Sequence, residues 1–156
     1  MSSPQPSPLA RLAELGLTLP TVVPPLASYV PAQRSGSFVF TAGQLPMVEG
    51  KLPATGKVGA EIDADAANTL ARTAALNGLA AVDALVGLDS VVRVVKVVGY
   101  VACAPDFTGH PAVINGASDL LGEVFGAAGQ HARSAVGVAS LPLDSPVEVE
   151  LIVEVR

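Results

Sequence analysis

At 156 residues the chain is long enough for one domain with a substantial core and too short for two comfortable ones. It is 50% hydrophobic but only 15% charged and 4% aromatic, without Trp, so its apolar content is mainly Ala, Val and Leu, which suits helices packed closely on a valine-rich sheet. A formal net charge of −5, with no basic run and no interleaved aromatic platform, argues against a nucleic-acid partner.

So sparse a charge covers little of a monomer's surface, and a homo-oligomer is expected. One cysteine, Cys103, allows no intramolecular disulfide and asks for no oxidising compartment. Met1 to Pro8 carries neither the basic start nor the apolar run of a signal peptide, and no apolar stretch is long enough to span a bilayer. A cytoplasmic protein is expected, with no membrane partner.

In chain order, the proline- and serine-rich first eight residues should be disordered or extended. Leu9, Leu12 and Leu15 then recur at near-helical spacing before Gly16 and predict a short accessory helix. Leu17 to Leu26 is broken by Pro20, Pro24 and Pro25 and should be extended. These residues are read as a flexible extension, 1–24, ahead of one domain, 25–156. Arg34-Ser35-Gly36-Ser37 reads as a turn into a strand, Phe38 to Ala42, which Gly43 and Pro46 end. Met47 to Gly59 reads as an exposed hairpin or loop.

A helix beginning near Glu61 carries Ile62, Ala66, Leu70, Ala74, Ala81 and Leu85 along one stripe, with Gly87 past its end. Val91 to Cys103 is the strongest strand by valine density. Arg93 and Lys96 fall at odd and even positions, which predicts one charge on each face. Pro111 sits well at the start of a second helix, whose buried stripe is Val113, Ala117, Leu120, Val124 and Phe125 and which stops at Gly126 or Gly129. Val147 to Val155 alternates almost throughout, with Glu148 and Glu150 on one face. The sum is an α+β fold, a mixed sheet with both helices on one face.

Arg133 begins an otherwise apolar strand within His131 to Pro142. A permanent charge is costly there unless an anion or fixed acceptors meet it, which makes Arg133 the first functional candidate. The alternative is an arginine at a strand mouth with its charge in water and its stem on apolar surface.

Three groups of residues together resemble the YjgF/RidA family, and most of all its longer branch of L-PSP putative endoribonucleases. They are Phe38 to Pro46, Asn77 in the first helix, and Arg133-Ser134-Ala135-Val136 with Leu141-Pro142 and Glu148-Val149-Glu150. The resemblance runs from about Pro25 to the C-terminus. It implies a chorismate-mutase-like fold assembled as a homotrimer, with a ligand cleft between each pair of subunits. It also implies an enamine/imine deaminase in which Arg133 clamps a substrate carboxylate and Glu148 orients or activates water. Tyr29 would form a cleft wall, Asn115 a polar neighbour, and Gly43 would let backbone approach the ligand. The expected partner is a small molecule with a carboxylate.

Two departures mark this chain. Ala42 stands where typical members have serine, and Ala135 where they have cysteine, so a non-catalytic carboxylate-binding module is the alternative and an endoribonuclease the second alternative. Cys103, with no basic partner near it in sequence, reads as a buried inert thiol rather than a nucleophile, and His131 as a capping or surface residue that could approach Arg133. His110 and His131 are not spaced as a metal pair, and Gly126 to His131 lacks the Lys-Ser/Thr ending of a phosphate loop, so neither a metal nor a cofactor is expected.

Overall fold

Alternation and valine density place the centre of the molecule. In the computed structural model, which describes residues 3–22, 25 and 27–156, strand β5 (Val147–Val155) lies in the middle of a five-stranded sheet. It is flanked by β2 (Phe38–Thr41) and β3 (Val91–Ala102), and the edges are β1 (Ala32–Ser35) and β4 (Ala132–Val138). Only β3 and β4 run parallel. Helix α3 (His110–Phe125) makes the crossover between them, and α2 (Ala64–Val86) connects β2 to β3.

Val147, Val149, Leu151, Val153 and Val155 are all buried, and their partners across β3 include Val94, Val97 and Val101. This is the face that α2 and α3 cover, as the sequence predicted. Gly116 of α3 sits so close to α2 that a side chain there would overlap the backbone oxygen of Asn68, whose own amide donates to Ala112 O at 2.8 Å. Small residues thus set the helix separation and hold both helices down on the sheet.

Several elements depart from expectation for local reasons. The turn expected at residues 34–37 is shorter, because Arg34 and Ser35 belong to β1 and pair with Val39 and Phe38 across Gly36 and Ser37. Helix α2 starts at Ala64 rather than near Glu61, since the Asp63 carboxylate caps it by accepting from Ala66 N at 2.7 Å. The 47–59 segment is a loop, but Gly56 and Val58 within it are buried, and Val58 N donates to Ala102 O at 2.8 Å.

Arg93 and Lys96 share one face. Register shifts between Val91 and Arg93, and again between Val94 and Lys96, turn both charges to the side away from the helices, opposite Glu154 and Ile152. Helix α1 (Pro8–Glu14) docks through Leu12, which is 2% exposed, and through Arg11 Nε, which donates to Glu123 O at 2.8 Å. Of the run expected to be extended, residues 23, 24 and 26 lie outside the described residues. No described helix is long and apolar enough to cross a membrane.

Candidate functional site

The strand parity of β4 decides which way Arg133 faces. Arg133 pairs with Val97, a fully buried residue of the helix-covered side, so its side chain leaves the edge strand toward α3. There Nη1 donates to Asn115 Oδ1 at 2.8 Å and to Ser118 Oγ at 3.2 Å, and Nη2 donates to Pro111 O at 3.4 Å. Residues 111, 115 and 118 stand on one stripe of α3, so the helix supplies all three acceptors. All three are neutral, and none of the ion pairs among the described residues includes Arg133.

The fork geometry gives this arrangement a chemical meaning. Both Nη1 protons are taken by α3. What remains is the edge formed by Nε–H and an Nη2–H, a side-on pair of parallel donors that matches the two oxygens of a carboxylate. Asn115 is therefore brought to Arg133, as the resemblance implied. Ser118 was not singled out from the sequence. A serine seven residues along the helix from Pro111, on the stripe that faces an arginine-bearing strand, is the signal that would have found it.

The imidazole of His131 extends the same group. Its Nε2 lies 2.9 Å from Ser118 Oγ and its Nδ1 2.6 Å from Gly129 O. His131 is thus a half-buried residue joined to Arg133 through one hydroxyl. Cys103 also has a basic neighbour that the sequence spacing hid, since its Sγ lies 3.4 Å from His110 Nε2.

Glu148 belongs to the other face. It pairs with Tyr100 of β3, and Tyr100 with Val136 of β4, on the side that the helices leave open. Burial first, then the negative charge of Glu150, raises the Glu148 carboxyl above its usual range. Tyr100 Oη donates to Glu150 Oε1 at 3.2 Å, and the Tyr100 hydroxyl is itself pushed up, first by burial and then by the Glu150 charge. Gly43 lies against Glu148, where any side chain would meet the carboxyl group. The close approach that Gly43 permits is therefore to Glu148.

Gly43 and Tyr29, the latter 54% exposed, line a cavity of about 700 Å³ with Val22, Met47, Asn77 and Leu143. Asn77 Nδ2 fixes one wall by donating to Leu45 O and Met47 O, each at 3.0 Å. Leu143 adopts a left-handed φ of 58° that holds its side chain 59% exposed at the rim. The expected site residues thus do not form one group in a single chain: Arg133 with Asn115 lies on the helix-covered side of the sheet, Glu148 lies against Gly43 on the open side, and Tyr29 lines the cavity beside Asn77 of α2.

Residues 9–155 match the family described as "YjgF/chorismate_mutase-like, putative endoribonuclease". Protein TCP17 of Trypanosoma cruzi is 42% identical over 149 residues, which cover 94% of this chain and 93% of TCP17. The crystal structure of Atu1372 from Agrobacterium tumefaciens, a protein of unknown function, superimposes with a TM-score of 0.88 at 46% identity, covering 94% of this chain and 91% of Atu1372. Escherichia coli TdcF, in a structure with bound serine, is 26% identical with a TM-score of 0.57, over 85% of this chain and 91% of TdcF. A mixed sheet covered on one face by its helices belongs with these matches, and the chain is a member of the YjgF/chorismate mutase-like family.

Proposed function

We propose that this protein is a hydrolytic deaminase of enamine and imine intermediates derived from amino acids, acting as a homotrimer with clefts between subunits. The observation that carries the reading is the Arg133 guanidinium, held by three neutral acceptors and by no carboxylate among the described residues, with its Nε–Nη2 edge left to a ligand. A charge fixed in this way supports binding of a small carboxylate. The bound serine of TdcF, an amino acid with such a carboxylate, points the same way.

In the proposed reaction Arg133 takes the substrate carboxylate and sets the adjacent C=N carbon beside a water. Glu148 of a second copy accepts a proton as the water oxygen adds to that carbon, and a raised carboxyl is closer to the pH at which such transfer is efficient. That proton passes to nitrogen, and as the C–N bond breaks the hydroxyl proton follows it while C=O forms, so that a 2-oxo acid and ammonia leave. Because Glu148 and Arg133 face opposite sides of one sheet, this chemistry requires two copies of the chain. The open face, with Phe38, Phe40, Val92 and Val136 exposed, supports such an assembly.

A second reading, a module that binds a small carboxylate without turnover, is favoured by Ala42 and Ala135, which offer methyl groups where the family pattern offers polar atoms. The endoribonuclease of the family description draws no support from a net charge of −5. Ammonia release from freshly generated 2-aminoacrylate and from bulkier imines separates the readings. Hydrolysis faster than in buffer, lost in Arg133→Lys, is the expected result. Tight 2-oxo acid binding with no acceleration selects the binding module instead, and cleavage of RNA by the purified trimer overturns both.

A further inference from the structure

Two of the three acceptors around Arg133 are fixed by the helix backbone or by an amide, but the third, the Ser118 hydroxyl, is a rotor. What sets the rotor is His131. Its Nδ1 lies 2.6 Å from Gly129 O, and a carbonyl only accepts, so Nδ1 carries the ring proton. In the neutral ring Nε2 is then an acceptor, and Ser118 donates its single proton to it across 2.9 Å. The hydroxyl is left with lone pairs toward Arg133, where it receives Nη1–H at 3.2 Å.

We propose that His131, acting through Ser118, is a positioning residue that fixes the rotation of the Arg133 guanidinium and so reserves its Nε–Nη2 edge for a planar two-oxygen anion. This rests on the reading of Arg133 as the carboxylate clamp. Without Ser118, Asn115 would hold one Nη1 proton, Pro111 O would hold Nη2 only across 3.4 Å, and the other Nη1 proton would have no acceptor. The Ser118 hydroxyl supplies that second hold on Nη1 and restricts the turning of the guanidinium. Without His131 the Ser118 hydroxyl has an alternative in the carbonyl one turn back in its own helix, and no longer need present lone pairs to the arginine. The relay is built from half-buried groups that join the middle of α3 to the residue just before β4.

The test is pyruvate binding by calorimetry on the full chain in its native assembly, with urea denaturation of the same proteins to separate folding from positioning. Ser118→Ala and His131→Phe, which keeps the ring's bulk, should each weaken binding about five- to tenfold, as expected for loss of one hydrogen bond of ordinary strength that the ligand feels only through the guanidinium. The double variant should be no weaker than the worse single one, because the two act as a unit. Ser118→Thr, which keeps the hydroxyl, should stay within about twofold of the parent.

In the ligand-free protein, nitrogen-resolved NMR should find rotation about the Arg133 Cζ–Nη bonds slow, and faster in Ser118→Ala and His131→Phe. Additive losses, failure of Ser118→Thr to rescue, or unchanged guanidinium rotation in both variants overturns the relay. Arg133→Lys separates the two levels of the argument. If it abolishes binding while Ser118→Ala and His131→Phe bind normally, the relay alone fails. If it binds pyruvate as well as the parent does, the clamp fails and the relay with it.

Discussion

The α-carbon of Gly43 lies so close to the Glu148 carboxyl group that a methyl group there would overlap Oε1. Position 43 therefore sets where that carboxyl can be. Gly43→Ala should push the Glu148 carboxyl off its place on the open face, and because that group is the far end of a flexible side chain the cost to stability should stay below about 1 kcal/mol, the low end of overpacking. The deaminase reading adds that turnover should fall further than stability alone explains. Urea midpoints and ammonia release on one preparation check both.

Glu148→Gln should separate stability from activity. Burial and Glu150 raise the Glu148 carboxyl, so the folded chain keeps that proton at pH values where the unfolded chain has already released it. Stability from this group is present below the ordinary carboxylate range and declines as pH rises through the raised value. A glutamine cannot ionise, so the variant should match the parent at about pH 4 and exceed it at about pH 8 while its turnover drops. Equal denaturation midpoints at both pH values would contradict the assignment.

Substrate size should matter. Ala42 and Ala135 leave room in the proposed cleft, and the cavity beside Gly43 is walled by Val22, Met47 and Leu143. Each additional buried methylene contributes roughly 0.8 kcal/mol, enough to favour a branched or aromatic imine over 2-aminoacrylate severalfold. Ala135→Cys should move that preference back toward the smaller substrate, as measured by the ratio of kcat/KM values.

The two glycines of α3 should respond in opposite directions. Gly116→Ala would drive its methyl group into the backbone of Asn68 and force α2 and α3 apart, a loss of about 1–3 kcal/mol. Nothing stands near the corresponding point on Gly122, so Gly122→Ala should gain about 0.5–1 kcal/mol from helix propensity. Thermal denaturation of the pair reads both.

Much of this architecture was legible because its signals are local. Alternation in β5, valine density in β3 and capping residues around α2 and α3 each act within a few residues, and Arg133 stands out as a charge in apolar surroundings. What the sequence hid depends on pairing. The register shifts that bring Arg93 and Lys96 to one face leave no mark in a run of valines. β1 was masked by polar residues at an edge, where side chains face water. Ser118 reads as an ordinary helical serine until β4 is known to pass beside it. The separation of Arg133 from Glu148 by a sheet's thickness follows from the pairing of β3 with both β4 and β5.

That separation makes subunits interchangeable in a particular sense. If each cleft takes its arginine from one chain and its glutamate from another, two dead variants hold complementary halves of the same machine. Arg133→Lys and Glu148→Gln, each inactive by itself, should recover activity when unfolded together and reassembled. In an equal mixture that assembles at random, about a quarter of the clefts would receive both intact groups, because each contributor is chosen independently. The returning activity would carry the parent's substrate preference, and mixing the two folded variants without subunit exchange would return none.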